Sequence, residues 1–203
     1  LGMIIKIVMS RLIGTEGLGL YMMVLPTFSL FIGISQFGLP IALSKLVAED
    51  NKNNVKLFFS IIPISICVNI VLMVLIFLIA PFLSEQLLHD KRCLYPILAI
   101  AFVIPFTSIS SICRSYFFGK EKMTPHVVSN LCEDVVRLLM MIIGIPFFID
   151  KGLSYAVCFI ILSNIVSETV SILILLFFIP RGVSIKKRDL RPSRLYIKES
   201  LSI

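Results

Sequence analysis

Long apolar blocks are the feature that most constrains how this chain can fold. They lie at about 20–43, 57–83, 93–118, 125–149 and 154–179, and a shorter apolar run at 1–13 precedes them. A helix needs about 20 mostly apolar residues to cross the hydrocarbon core of a bilayer, and each of the longer blocks reaches that length. Hydrophobic residues make up 58% of the chain and charged residues only 15%, against about 25% charged in soluble domains. The sequence therefore predicts an all-α integral membrane protein.

The other composition signals exclude several classes of function. The net charge is +7, but the basic residues lie in the short segments between blocks and in the tail, which is not the pattern of a nucleic-acid-binding face. The five cysteines lie in or beside apolar blocks, where thiols behave as small hydrophobic groups. The chain has two histidines and no Cys or His pair at metal-ligand spacing. We therefore expect no metal and no cofactor.

The basic residues also predict an orientation. Those in one set of inter-block segments are Lys45, Lys52, Lys56, Arg114, Lys120 and Lys122, together with the tail 181–203. Those in the opposite set are fewer: Arg11, Lys91, Arg92 and Lys151. Because cytoplasmic segments carry an excess of Lys and Arg, we expect a multi-pass protein of the cell membrane whose start and tail are both cytoplasmic. The first residues lie inside an apolar run, so we expect a truncated first helix.

Three blocks carry polar residues on one helical face. At 100° per residue, His126, Asn130, Glu133 and Arg137 fall within about a 60° arc. Comparable stripes elsewhere are formed by Thr107, Ser110, Ser111 and Arg114, and by Asn164, Ser167, Glu168 and Ser171. Polar stripes in membrane helices face a bundle interior or a water-filled cavity, and we expect the same here.

Arg137 lies near the middle of its block, where a charge requires a partner. An unpaired charge at the bilayer centre costs about 2.5–3.5 kcal/mol on insertion scales. Glu133 is one helical turn away, and Glu168 lies near the middle of the next block. We predict that Arg137 is held by Glu133, Glu168 or both, whereas Asp134 lies about 80–100° off this line and is left out of the site. The alternative is that the Glu133–Arg137 pair only stabilises helix packing.

Two motifs resemble those of a known family. Residues 10–21 (SRLIGTEGLGLY) and 37–49 (FGLPIALSKLVAE) are similar to the opening of the stage V sporulation protein B family of polysaccharide-biosynthesis membrane proteins. A second set of matching positions surrounds the segment between the fourth and fifth blocks: Arg114, Tyr116, Phe117, Gly119, Met123, Thr124, Pro125, Ser129, Glu133 and Arg137. The family belongs to the multidrug/oligosaccharidyl-lipid/polysaccharide flippase superfamily.

The resemblance implies an architecture and an activity. Such proteins have two six-helix lobes around a central polar cavity that alternates its access. The chain would supply a first six-transmembrane-helix lobe at 1–180 and a cytoplasmic linker at 181–203, and its partners would be a missing second lobe and the lipid bilayer. The implied activity is not enzymatic: it is transport of a lipid-linked oligosaccharide or peptidoglycan precursor, in sporulating relatives for the spore cortex. The candidate substrate-path residues are Arg114, His126, Asn130, Glu133, Arg137, Asn164 and Glu168.

Three other interpretations stay open at this point. A multidrug or cation antiporter of the same fold would favour a carboxylate without a paired arginine. A membrane enzyme acting on a lipid phosphate would need a His, Asp and Arg cluster at one interface. A non-transporting structural protein would need none of these features.

Overall fold

The structure is a computed structural model that describes residues 2–49 and 54–179, with the side chains of 54–57 left out. Lys52 and the predicted linker 181–203 lie outside the described residues, as does the Lys56 side chain. Every regular element in the described ranges is helical. The helices are α1 (Gly2–Gln36), α2 (Leu39–Glu49), α3 (Asn54–Phe82), α4 (Leu94–Gly119), α5 (Met123–Ile149) and α6 (Leu153–Phe178).

Four helical segments are long and apolar enough to cross a membrane, namely Gly2–Gln36, Phe58–Leu87, Lys91–Gly119 and Leu153–Phe178. The second includes a π-helical turn, Leu83–Leu87, after α3, and the third begins with a 3₁₀ turn, Lys91–Cys93, before α4. Helix α5 has 27 residues, enough to cross a bilayer, but it carries Glu133, Asp134 and Arg137. The all-α membrane fold predicted from the apolar blocks is confirmed.

Helices α3 to α6 lie where the apolar blocks predicted helices, with ends that differ by a few residues. Short turns join them. The turn after α4 contains Glu121 in a left-handed conformation (φ 56°), and the turn after α5 contains Gly152 (φ 122°). Because these connections are only a few residues long, consecutive helices run antiparallel, and α5 starts at the end of the bundle where α4 stops.

The first two predicted blocks, 1–13 and 20–43, are not divided as expected. We predicted a glycine turn at 14–19, but α1 continues through this segment with one kink at Gly14 (φ 71°, ψ −177°). The chain remains helical from Thr15, and a Cβ atom built at Gly17 would lie 3.0 Å from Leu153 Cδ1, so this stretch is packed rather than looped. The two predicted blocks are therefore divided at Gly14, but by a kink and not by a glycine loop over 14–19.

The second block also ends earlier than predicted. Phe37 (φ 44°) and Gly38 (φ 70°) both adopt the left-handed conformation, which terminates α1 at Gln36. The short helix α2 then starts at Leu39, with Pro40 in its first turn, where a missing N–H costs nothing. Residues 39–43 belong to this separate helix because backbone conformation at 37 and 38, rather than hydropathy, sets the boundary.

Contacts distinguish two ends of the bundle. At the first, Arg92 Nη1 lies 2.7 Å from Glu16 Oε1, and the rings of Tyr95 and Tyr155 stack with centroids 5.4 Å apart. We call this the Arg92 end. At the opposite end, Gly119 packs against α2, and Lys120 Nζ lies 4.8 Å from the centre of the Tyr116 ring. We call this the Lys120 end, and its location on the cytoplasmic side stays a prediction.

We call His126, Asn130, Glu133 and Arg137 the polar line of α5, and the surface of α5 opposite this line is apolar. Val127, Leu131, Val135, Leu139 and Ile143, spaced four residues apart, are each about half exposed or more. Apolar side chains are exposed in the same way along α3, including Leu78 at 76%. A soluble protein rarely exposes such a continuous apolar surface, whereas a surface against lipid is apolar throughout.

Gly119 gives a direct test of the α2–α4 packing. A Cβ atom at this position would lie 2.5 Å from the Ser44 carbonyl oxygen and 2.8 Å from Val47 Cβ. We expect Gly119→Ala to destabilise the protein by about 1–3 kcal/mol, because the backbone of α2 must move away. The measurement is the midpoint of denaturation in detergent micelles.

Gly19→Ala is the matched control for this substitution, since a Cβ atom there would meet nothing within 4 Å. It should leave stability unchanged or raise it by up to about 1 kcal/mol through helix propensity. Equal midpoints for both variants would show that α2 does not pack on Gly119.

Candidate functional site

Arg114 of α4 connects three helices through one nitrogen of its side chain. Its Nη2 donates to Ser110 Oγ at 2.9 Å on its own helix and to Glu133 Oε2 on α5. The same nitrogen lies 2.9 Å from Glu168 Oε2 and 3.3 Å from Ser171 Oγ, both on α6, so its two N–H groups are shared among four acceptors. Charge-assisted bonds of this kind are about twice as strong as neutral ones. Arg114 is therefore the cation at which α4, α5 and α6 meet.

Glu133 extends these contacts along α5. Its second oxygen, Oε1, accepts a hydrogen bond from Arg137 Nη2 one turn further along the helix. Arg137 Nη1 also lies 3.6 Å from Asp134 Oδ1. We call these five side chains, Arg114, Glu133, Asp134, Arg137 and Glu168, the ion-pair network.

Helix direction explains why Arg114 reaches Glu133. Cα–Cβ bonds tilt towards the N-terminus of their helix. Helix α4 starts at the Arg92 end and α5 at the Lys120 end, so the two side chains lean towards each other. Counted from the turn at Glu121, Glu133 is five residues further from the turn than Arg114, which corresponds to about 7–8 Å along the axis. A guanidinium at the end of its long side chain spans this difference.

The network also bridges a gap between helices. Helix α6 packs closely against both α4 and α5, whereas α4 and α5 make far fewer direct contacts with each other. The Arg114–Glu133 ion pair joins the two helices across this gap. A gap lined by charged side chains is where water or a polar ligand can enter a bundle whose other contacts are apolar.

The carboxylates are more buried than the guanidiniums. The Glu133 and Glu168 side chains are 8% and 9% exposed, whereas those of Arg114 and Arg137 are 23% and 21% exposed. The Nε atoms of both arginines are buried and have no hydrogen-bond partner among the described residues. Because a buried donor without an acceptor is costly, these N–H groups favour an additional acceptor at the site.

The remaining predicted site residues are placed differently. His126 Nε2 lies 3.3 Å from Asn130 Nδ2, and the His126 ring packs on Phe118 with centroids 4.5 Å apart. Both residues lie on the polar line of α5, on the Lys120 side of the network. Asn164 donates to the carbonyl oxygens of Ile160 and Ile161 in its own helix, so it does not join the described network.

The predicted pairing of Arg137 is confirmed through Glu133, the first of the two candidate partners, whereas Glu168 pairs with Arg114. The exclusion of Asp134 is also wrong. Its angular offset from Arg137 is real, but residues three apart on a helix are neighbours, and the long arginine side chain covers the offset. That spacing was the available signal in the sequence.

A cavity of about 320 Å³ adjoins the network at the Lys120 end. We call it the Arg114 pocket, and its lining residues are Pro40, Ile41, Ser44, Ser111, Arg114, Ser115 and Phe118. The contribution of α2 was not predicted, because Pro40 and Ile41 were assigned to the end of a longer membrane span and Ser44 to the segment that follows it.

No group of three or more His, Cys, Asp and Glu side chains that could hold a metal occurs within residues 2–49 and 54–179. The ion-pair network itself offers exchange of hydrogen bonds and charge. Two guanidiniums can bind oxyanions, and the carboxylates can hold the same guanidiniums when no oxyanion is present.

Fold and site together define an all-α membrane protein with a buried ion-pair network at the junction of three helices. The sequence profile of the polysaccharide biosynthesis protein family matches residues 1–197, and the chain belongs to this family. The family resemblance predicted from the two motifs is therefore confirmed.

The relatives come from Bacillus subtilis (strain 168). The chain is 38% identical to stage V sporulation protein B over 198 residues. This aligned region covers 94% of this chain and 38% of that protein. The chain is 27% identical over 168 residues to sporulation protein YkvU, covering 80% and 37% of the two chains. It is 25% identical over 155 residues to lipid II flippase MurJ, covering 70% and 28%. The chain thus spans well under half the length of each relative. No solved structure matches it significantly.

Glu133→Gln tests whether the network stabilises the fold. The substitution keeps the shape of the side chain but leaves Arg114 and Arg137 without a shared carboxylate. We expect a loss towards the lower part of the about 3–5 kcal/mol typical of breaking a buried pair, since both arginines keep some exposure. The measurement is equilibrium unfolding in detergent micelles.

The control is Glu16→Gln, which removes the exposed ion pair with Arg92, whose side chain is 59% exposed. Such a pair contributes about 0–1 kcal/mol. A similar small effect of both substitutions would contradict a stabilising role for the network.

Proposed function

We propose that the chain forms part of a flippase that carries a lipid-linked cell-wall or polysaccharide precursor across the cell membrane by alternating access. The observation that most supports this is Arg114, a cation held by the carboxylates of two other helices inside an apolar bundle. Family membership supports the same proposal, and so does similarity to a protein named as a lipid II flippase.

The physical problem in such transport is the head group. A lipid-linked sugar carries phosphate charge and hydroxyl groups that cannot enter hydrocarbon, while its lipid chain can remain in the bilayer. Arg114 and Arg137 supply donors of the planar, bidentate kind that fit phosphate oxygens. Glu133 and Glu168 keep these cations paired when no substrate is bound, so an empty site does not leave an unpaired charge.

The polar line of α5 supports a direction for the path. His126 and Asn130 lie nearer the Lys120 end than Glu133 and Arg137. The distance from His126 to Arg137 along the helix axis is about 16 Å, roughly half the thickness of a hydrocarbon core. In this proposal the line forms one wall from the cytoplasmic surface towards the middle of the membrane. Asn164 would enter the path only through rearrangement of α6.

Alternating access requires a second wall, which we place in a second lobe. The curated relatives are longer than the part that this chain matches, which supports such a lobe. The linker at 181–203 would lead to it on the cytoplasmic side. The names of the relatives favour a role in peptidoglycan or spore cortex synthesis.

The antiporter alternative is less well supported. A proton- or cation-coupled carboxylate works best without a permanent arginine partner, whereas Glu133 and Glu168 both accept from Arg114. Among the relatives reported above, none is named as an enzyme. We therefore propose transport of the precursor without a chemical step.

Transport in proteoliposomes tests the proposal. The complete protein is reconstituted with a fluorescent polyprenyl-diphosphate saccharide, and flipping is followed by quenching of the label in the outer leaflet. We expect Glu133→Gln and Arg137→Ala to slow flipping about tenfold or more, corresponding to at least about 1.4 kcal/mol in the barrier. The reason is that both substitutions remove a member of the network on the substrate path.

Glu16→Gln serves again as the control and should flip at the wild-type rate, because it changes a pair at the Arg92 end of the bundle. Wild-type protein that flips no faster than empty liposomes would overturn the proposed function. Normal flipping by both network variants would remove Glu133 and Arg137 from the path.

A further inference from the structure

The Arg114 pocket lies between α2 and α4 and shares one residue with the ion-pair network. Its volume of about 320 Å³ falls at the lower limit of the range that holds small ligands, about 300–1,000 Å³. A cavity of this size admits a phosphate or diphosphate group and the first part of an attached chain. Neither the network nor the polar line of α5 accounts for it, because its other lining residues belong to α2 and α4 and none of them is a member of the network or of that line.

Arg114 retains hydrogen-bonding capacity beyond the network. Its described hydrogen bonds all leave from Nη2. Its Nε is buried without a partner among the described residues, and none of the described contacts involves its Nη1. A guanidinium has five N–H groups, so donors remain for an oxyanion that approaches from the pocket.

Two of the serines that line the pocket already donate their hydroxyl protons to backbone carbonyl oxygens. Ser44 Oγ donates to the Ile41 carbonyl oxygen at 2.8 Å, and Ser115 Oγ donates to the Ile112 carbonyl oxygen at 2.8 Å. Arg114 is the charged donor among the residues that line the pocket.

The outer walls of the pocket are apolar. Ile41 is 70% exposed and Phe118 is 44% exposed, and Pro40 lies beside Ile41 in the first turn of α2. Two of the three side chains thus face out of the protein as well as into the pocket. A ligand whose charged end reaches Arg114 would lay an apolar chain against these three side chains.

Charge at this end of the bundle favours an anion. Lys45 is exposed on α2 next to Ser44, and Lys122 is exposed in the turn after α4. Lys120 lies near the Tyr116 ring, and Glu121 is the acidic residue of the same turn. Glu49, exposed at the end of α2, is a second carboxylate at this end. The three lysines exceed these two carboxylates, and the excess positive charge favours anionic head groups.

We propose that the Arg114 pocket binds the phosphate or diphosphate head of an amphiphile whose apolar chain lies against Pro40, Ile41 and Phe118. The lipid-linked precursor and ordinary anionic phospholipids share this chemistry. The role of the pocket as the entry point for the precursor rests on the proposed function. Phosphate oxygens at Arg114 would compete with Glu133 and Glu168, so head-group binding would loosen the contacts that join α4 to α5 and α6.

Photocrosslinking tests the site. The complete protein is placed in phosphatidylcholine nanodiscs with a farnesyl diphosphate that carries a benzophenone, and labelled peptides are mapped by mass spectrometry. We expect labelling within 37–44 and 111–118, and Ile41→Trp should reduce its yield on the order of tenfold by filling the pocket. Ile41 is exposed, so this substitution leaves the fold and the ion-pair network intact.

Ile143→Trp is the matched control, since Ile143 is an exposed apolar residue of α5 at 62% and lies outside the pocket lining. It should leave the yield unchanged. Labelling that is unaffected by Ile41→Trp, or that maps outside 37–44 and 111–118, would overturn the proposal.

Competitors identify the source of the head group. Stronger competition by unlabelled farnesyl diphosphate than by phosphatidylglycerol supports the precursor as the ligand, and the reverse supports a bilayer phospholipid. Flipping assays on the wild-type protein, set beside its labelling, separate the two proposals. If the wild type flips the precursor normally but is not labelled in the pocket, the pocket proposal is overturned and the flippase proposal stands. If the pocket is labelled but the wild type does not flip the precursor, the lipid-phosphate site stands and the flippase proposal is overturned.

Discussion

Neutralisation of Arg114 is the interaction on which the arrangement of α4, α5 and α6 depends. An unpaired guanidinium buried among apolar helices is costly, because it leaves a charge without a counter-ion. The cost is offset because Glu133 approaches from α5 and Glu168 from α6, each with a buried carboxylate. Since α4 and α5 have few direct contacts, this pairing sets how far apart they stand and leaves a polar gap between them.

The same pairing makes the site exchangeable. A buried ion pair adds little net stability over a well-packed apolar contact, so stability alone is weak grounds for placing five charged side chains here. The arrangement provides two cations whose charge stays neutralised when one oxyanion replaces another, so the exchange changes the free energy little. Carboxylates hold Arg114 and Arg137 in the structure, and we propose that phosphate oxygens replace them when the substrate binds. The unpartnered Nε atoms of both arginines supply additional donors for that exchange.

Sequence reasoning correctly predicted the features that depend on residues close together in the chain. Hydropathy placed α3 to α6, and the four-residue spacing identified the Glu133–Arg137 pair. Sequence reasoning failed for two features: contacts between residues far apart in the chain, and a local turn that hydropathy does not show. Only the packing of α4 against α5 and α6 brings Arg114 to two carboxylates, and hydropathy cannot show that the chain turns at Phe37 and Gly38. The pocket between α2 and α4 was missed for this second reason, since the first residues of α2 were taken as the end of a longer span.

A double-mutant cycle on transport tests most directly whether Arg114 and Glu133 act as one unit. Flipping rates of Arg114→Gln, Glu133→Gln and the double variant are compared with wild type in the same proteoliposomes. We predict that the double variant is no slower than the slower single variant, a coupling of at least about 1.4 kcal/mol if each substitution costs tenfold. Rates that simply multiply would show that the two side chains act independently, and would contradict the account.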